Sequence, residues 1–152
     1  MDDNKGQLRV VLATEAELEP VTDLALALWP AHERAALRQE LAETLADGEA
    51  AVFLLLAGGE AAAFAQVGLR RDYVEGTSTQ PVGYLEGIYV RPNWRRQGLA
   101  RRLLDACETW ARTMGCAEMG SDCALDNGDS ALFHLRAGFR EAGRIICFAK
   151  KL

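Results

Sequence analysis

The chain has 152 residues, 49% of them hydrophobic and 26% charged, with a formal net charge of −5. That balance predicts one folded domain, residues 1–152, with a core that needs no disulfide staples, and it argues against disorder and against a general nucleic-acid binder. The longest apolar run, 50–57, falls well short of the roughly 20 residues of a membrane span and suits a buried strand.

The acidic start, residues 1–5, reads as neither a secretory signal nor a transit peptide. Cys107, Cys116, Cys123 and Cys147 include no C-x-x-C pair, so free thiols and a cytoplasmic setting are expected. With only His32 and His134 available, no metal site is legible.

In chain order, residues 8–12 alternate weakly and predict a short first strand. Thr14 and Glu17 have the spacing of a capping box, and Leu18, Val21, Ala25 and Leu28 then share one helical face. Trp29-Pro30 stops that helix. A second is expected over 33–46, where Leu37, Leu41 and Leu45 fall one turn apart. Residues 50–57 and 60–69 flank Gly58-Gly59, the pattern of a β-hairpin with a two-residue turn. A polar loop, 70–81, leads to a strand over 82–90, rich in β-branched and aromatic residues. A basic loop, 91–97, opens into an amphipathic helix over 98–114. Leu99, Leu103, Cys107, Trp110 and Met114 face inward there, and Gly115 closes the helix. A strand over 117–123, a helix over 127–137 and a last strand over 139–149 complete the order. A hairpin combined with β-α-β units predicts an α/β (α+β mixed) fold, a mixed central sheet with helices on both faces.

The stretch 82–102 carries the functional argument. An apolar strand runs into Arg95-Arg96-Gln97-Gly98-Leu99-Ala100, which opens directly into a helix. The first N–H groups of a helix lack intrahelical partners, and the helix dipole favours an anion beside them. Gly98 and Ala100 leave those groups approachable. Arg91, Arg95, Arg96, Arg101 and Arg102 gather in a chain that is acidic overall, and Arg101 and Arg102 oppose the dipole unless an anion relieves them. A pyrophosphate has suitable dimensions. On spacing alone, a solvated basic loop before a surface helix remains an equal reading.

The motif Arg95-x-x-Gly98-x-Ala100 resembles the acetyl-CoA signature of the GNAT superfamily of N-acetyltransferases. Asn127, Ala131, His134 and Gly138-Phe139 resemble that superfamily's later helix. A narrower resemblance lies in Trp29-Pro30-x-His32, Arg71-Asp72-Tyr73-Val74-x-Gly76, Leu85-Glu86-Gly87-Ile88-Tyr89-Val90 and Ser121-Asp122. These resemble the chromosomal and integron-type aminoglycoside 6'-N-acetyltransferases.

The resemblance implies a GNAT-like, mostly antiparallel sheet, acetyl-CoA as co-substrate, no metal, and direct attack of the 6'-amine in a ternary complex. It implies that main chain at Ile88, Tyr89 and Val90 holds the acetyl and pantetheine groups, with N–H near Val90 steadying the developing oxyanion. It places Arg95, Arg96, Gln97, Gly98, Leu99, Ala100 and Arg101 around the pyrophosphate, and Asn127 against the pantetheine. It also implies a homodimer, often paired through C-terminal strands.

For the substrate, Glu86 breaks an apolar strand and must face a cleft, a partner or solvent. Asp122 ends the next strand, where α/β sheets place ligand groups. Either carboxylate is a candidate base, since an alkyl ammonium must lose a proton before it attacks. Asp72, Glu75, Asp126 and Asp129 extend a negative rim for a polycation, and Trp29, His32 and Tyr73 offer faces and donors to sugar rings. Plainer readings stand beside these: Glu86 paired with an arginine, Asp122 capping a turn, and Trp29, Ile88 and Val90 as core. His134 stands where many members carry a tyrosine acid, and serves either as proton donor or as a polar cap over the cofactor. Gly143, with Glu141 nearby, stands where related enzymes often carry an acidic residue. Alternatives on the same scaffold are an acetyltransferase for another small amine, such as a polyamine or amino sugar, and a non-catalytic CoA-binding sensor.

Overall fold

A five-stranded sheet in the order β1-β2-β3-β4-β5 organises the computed structural model, which describes residues 7–152. The acidic start read above, residues 1–5, lies outside the described residues. The strands are β1 (Leu8–Leu12), β2 (Ala50–Ala57), β3 (Glu60–Arg70), β4 (Val82–Val90) and β5 (Met119–Ser121). The helices are α1 (Leu18–Leu28), α2 (Arg34–Ala46), α3 (Leu99–Thr113) and α4 (Gly128–Arg136). Pairing is antiparallel from β1 to β4 and parallel between β4 and β5. The expected mixed, mostly antiparallel sheet is what forms.

Period-two alternation sorts the strands onto two cores. Leu55, Ala63, Ala65, Val67 and Leu85 pack against α3 through Leu99, Leu103, Leu104 and Cys107. Val52, Leu54 and Phe64, on the opposite face, pack against α1 and α2 through Val21, Leu24, Ala25, Leu37 and Leu41. Local signals read from the sequence are realised. The Thr14–Glu17 capping box closes, with the Thr14 N–H donating to Glu17 Oε2 at 2.6 Å. Glu33 caps α2 by accepting from the Ala35 and Ala36 N–H groups at 3.0 and 2.9 Å. Gly58 and Gly59 both take positive φ (57° and 89°), as the tight hairpin turn requires.

Two expectations need correction. The strand over 117–123 shrinks to Met119–Ser121, because it pairs with β4 only from Gly83 to Leu85. The last strand, 139–149, does not form. A strand needs a ladder partner, and within one chain this segment has none. It lies on the surface without regular structure, with Ile145, Ile146 and Phe148 75%, 80% and 90% exposed.

A bulge in β4 positions the site. Gln66 pairs with Gly87 and Val67 with Leu85, so Glu86 opposes no residue of β3. The extra residue shifts the alternation. Gly83 and Leu85 face α3 before it, and Ile88 and Val90 face α3 after it. Apolar side chains thus stay in the α3 core, while Glu86 is freed toward the opposite side. A second feature follows at the same point. Leu85–Ser121 is the last register pair of β4 and β5, and beyond it the two strands part.

Candidate active site

The parting strands leave one edge of β4 without a ladder partner from Glu86 to Val90. Extended backbone with free N–H and C=O groups pairs readily with the amides of an extended ligand. Ile88 and Val90 are at the same time half-buried against the α3 core, so the plain reading of their side chains as core holds, and their main chain on that edge stays available to a ligand.

That edge leads to the start of α3. Gly98, the N-cap, takes φ 74°, and Arg96 takes φ 63°, a left-handed conformation unusual for a residue with a side chain. No side chain caps this terminus. The first backbone bond into the helix is Arg102 N–H to the Gly98 carbonyl at 3.2 Å, which leaves the N–H groups of Leu99, Ala100 and Arg101 ahead of it. A Cβ added at Gly98 would meet nothing within 4 Å, so the face in front of the terminus is open. An anion-binding terminus of this kind fits the diphosphate of a coenzyme.

The arginines divide their work. Arg95 Nε donates to the Val90 carbonyl at 2.9 Å, and its guanidinium lies 5.5 Å from the Tyr89 ring centroid, which joins loop to strand. Arg91 Nε donates to the Ala61 carbonyl at 3.0 Å. Arg101 pairs with Asp105 at 3.0 Å and donates to the Ala137 carbonyl at 3.0 Å, tying α3 to the end of α4. The conflict between Arg101 and the helix dipole is therefore partly relieved within the chain. Arg96 makes no side-chain hydrogen bond or ion pair among the described residues.

On the α1 side of the bulge lies a cleft of about 190 Å³ lined by Trp29, His32, Glu40, Thr44, Gln66 and Glu86, with Leu37 and Leu41 at its base. Trp29 packs closely on the bulge, since a Cβ on Gly87 would stand 2.6 Å from its indole. Its ring meets Phe64 edge-on at 6.1 Å and lies 6.2 Å from His32. The indole is thus core on one side and cleft wall on the other. Glu40 and Thr44, which share a side of α2 with Leu37 and Leu41 at its solvent-facing margin, were not singled out from sequence. An exposed acidic helix face carries no signal of its own.

Glu86 is not free. Arg70, the last residue of β3, donates to both of its carboxylate oxygens at 3.1 Å, and the Glu86 side chain is 33% exposed. The plain reading, pairing with an arginine, holds together with the cleft-facing one. The same guanidinium lies 3.5 Å above the Tyr84 ring, and the Tyr84 hydroxyl donates to the Asp122 carboxylate. Burial first, and then the bond to Asp122, push the Tyr84 phenol well above its ordinary value, so it stays protonated and donating. Glu86, Arg70, Tyr84 and Asp122 form one connected polar ladder across the sheet. Neither Arg70 nor Tyr84 was named from sequence, because their place depends on strand register and on the bulge.

His134 is fixed at both nitrogens. Nδ1 lies 2.6 Å from the Ser130 carbonyl oxygen, and Nε2 lies 2.8 Å from Ser121 Oγ. Ser121 Oγ in turn donates to the Leu85 carbonyl at 3.1 Å, at the point where β4 and β5 part. The rings of Phe133 and Phe139 hold the imidazole at 5.7 and 5.2 Å. Asn127 uses its side-chain oxygen to cap α4 at Ser130 N–H, 3.1 Å away, and its exposed amide nitrogen remains available. Asp72 and Tyr73 stand exposed on the 71–81 loop, and Glu75, Asp126 and Asp129 are likewise exposed; none of the five lines the cleft.

Comparison with known proteins agrees with this geometry. Residues 18–139 match the model of the acetyltransferase (GNAT) family. The chain is 43% identical over 141 residues to an aminoglycoside N(6')-acetyltransferase type 1 of Stenotrophomonas maltophilia, covering 92% of this chain and 91% of that one. It is 41% identical to a protein of the same name from Acinetobacter haemolyticus, covering 92% and 96%. Its fold superimposes with a TM-score of 0.93, at 35% identity and 97% and 100% coverage, on AAC(6')-Iy in complex with the bisubstrate analogue CoA-S-monomethyl-acetylneamine. A forked β4–β5 edge, an uncapped glycine-opened helix beside it and these likenesses over nearly the whole length place the chain in the GNAT acetyltransferase family, among the aminoglycoside 6'-N-acetyltransferases.

Proposed function

We propose that this chain transfers the acetyl group of acetyl-CoA to the 6'-amine of aminoglycoside antibiotics, as one domain working in the cytoplasm, and so confers resistance. The observation that carries the reading is the meeting of two seats at the bulge. The unpaired β4 edge and the open α3 terminus suit the coenzyme, and the acidic cleft at Glu86 suits a cationic amine. Acetyl-CoA supplies an activated acyl group when bound, and the chain's residues do the rest. Main chain at Ile88, Tyr89 and Val90 pairs with the pantetheine arm, the 96–101 backbone takes the diphosphate, and Asn127 adds a donor. Glu86 and Glu40 draw an ammonium into the cleft against Trp29 and His32, while Asp72, Tyr73 and Asp122 contact the outer rings. Glu86 or Asp122 accepts the proton that the amine must lose. Juxtaposing amine and thioester supplies much of the rate. His134 supplies a proton on the leaving side.

The chain also forms a homodimer in this reading. Its support is the C-terminal segment, whose exposed Ile145, Ile146 and Phe148 need a cover that one chain does not provide, together with the short edge strand β5. Among the described residues no helix is long and apolar enough to cross a membrane, and no group of metal ligands is present.

A thiol-release assay with acetyl-CoA and a panel of tobramycin, kanamycin, spermidine and glucosamine tests the function. Turnover of the two aminoglycosides is expected. Turnover of spermidine or glucosamine alone would move the substrate to another small amine. Tight acetyl-CoA binding by calorimetry without any turnover would leave a sensor.

A further inference from the structure

The hydrogen bonds of His134 run from Ser130 through Ser121 to Leu85, where β4 and β5 part. We infer that Ser121 is the terminal carrier of a two-proton relay from His134 to the leaving thiolate, an inference that rests on the acetyltransferase reading. A carbonyl oxygen only accepts, so the 2.6 Å contact to Ser130 fixes a hydrogen on Nδ1. Nε2 is thereby aimed at Ser121 Oγ, 2.8 Å away. The Leu85 carbonyl also only accepts, so Ser121 is satisfied at both contacts when Nε2 carries a hydrogen and Ser121 gives its own to Leu85. With neutral imidazole, Ser121 must turn its single hydrogen toward Nε2. Its hydroxyl therefore stands between a donor and a choice of acceptors.

The location makes that choice chemical. Ser121 is the last residue of β5 paired with β4, at the head of the unpaired edge and next to the bulge that carries Glu86. As the carbon–sulphur bond breaks, its electron pair goes to sulphur. The Ser121 hydroxyl proton moves to sulphur, and the Nε2 proton moves to Ser121 Oγ. His134 is left neutral with Nδ1–H still on Ser130. Solvent returns one proton to the imidazole, which balances the two protons lost by the attacking ammonium against one kept by the thiol and one released.

The test compares Ser121→Ala, Ser121→Thr, His134→Ala and the Ser121→Ala/His134→Ala double variant, each checked for unaltered acetyl-CoA affinity. Donors are acetyl-CoA, whose thiol is a poor leaving group, and an aryl thioester, whose thiolate departs without a proton. The relay expects each alanine variant to slow acetyl-CoA turnover about 100-fold, with the double variant no slower than either, as for groups that act as a unit. It expects little change with the aryl thioester, and recovery in Ser121→Thr. In mixed H₂O/D₂O the unaltered enzyme should give a curved, two-proton dependence that Ser121→Ala loses. Without any donor, ¹⁵N spectra should show His134 with Nδ1 protonated and an Nε2 signal that moves in Ser121→Ala. Equal losses with both donors, or an Nε2 signal indifferent to Ser121, overturn the relay and leave His134 as a strut between α4 and β5. Failure of the unaltered enzyme to acetylate any amine overturns the acetyltransferase reading, and the relay with it.

Discussion

At the scale of single residues, the bulge concentrates the consequences. Glu86→Gln keeps the shape of the side chain and removes its charge, both toward Arg70 and toward an incoming ammonium. Aminoglycoside kcat/KM should fall about 100-fold or more if Glu86 handles the amine's proton, while calorimetry should find acetyl-CoA binding unaltered. Unchanged kinetics would take Glu86 out of the reaction. Gly87→Ala acts by volume. Its Cβ would sit 2.6 Å from the Trp29 ring, so the indole must move. Overpacking of this kind costs about 1–3 kcal/mol, seen as a lower Tm, and the displaced cleft wall should raise KM for the aminoglycoside more than for acetyl-CoA. Cys107 sets a pH limit. Burial raises its thiol from an ordinary 9.0 to about 12. The folded chain then keeps a proton that the unfolded chain gives up, so stability is intact below pH 9 and declines as pH climbs from 9 to 12. The slope for one such group is about 1.4 kcal/mol per pH unit, and Tyr84 acts with the same sign above its own ordinary value. Denaturant unfolding across that range should show the decline, reduced in Cys107→Ala.

At the scale of elements, the glycine that opens α3 separates packing from conformation. Nothing lies within 4 Å of a Cβ built on Gly98, so Gly98→Ala creates no clash and acts only through its φ of 74°. The left-handed conformation costs a non-glycine residue about 1 kcal/mol. Relaxing it re-aims the N–H groups of the first helical turn. The dissociation constant for acetyl-CoA should rise several-fold while the aminoglycoside KM at saturating donor stays put; equal change in both would show a general loss of structure. This element was legible because its signal is local. Strand, glycine and helix are contiguous, and capping and turn chemistry act over a few residues, as at Thr14–Glu17 and Gly58-Gly59. The substrate half was legible only in part. Glu86 stood out as a charge in an apolar strand, but Arg70 reaches it from 16 residues away through a β3–β4 register shifted by the bulge, and Tyr84 reaches Asp122 from 38 across the β4–β5 pairing. No local pattern encodes that shift. The strand expected over 139–149 has suitable residues, and what it lacks is a neighbour.

At the scale of the whole molecule, that missing neighbour becomes a measurable quantity. The C-terminal segment is anchored at its beginning. Arg140 donates to the Gly76 carbonyl at 2.8 Å, and a Cβ on Gly76 would stand 2.6 Å from Ala142. Beyond Ala142 the exposed Ile145, Ile146 and Phe148 are offered to whatever covers them. Cys147 lies within this run and is exposed in the single chain, as is Cys123, whereas Cys107 and Cys116 are buried. A lone chain therefore presents Cys123 and Cys147 to a thiol reagent, while a dimer that covers the segment presents Cys123 alone. Stopped-flow labelling at high protein concentration should find one fast thiol per chain, and dilution should add a second as the pair dissociates. Sedimentation should show the mass halving over the same concentrations. Ile146→Lys places a charge on the covered face and should shift both transitions to higher concentration by at least tenfold, equivalent to about 1.4 kcal/mol, with acetyl-CoA affinity unchanged. Two fast thiols at every concentration, with a monomer's mass throughout, would show that the segment remains uncovered.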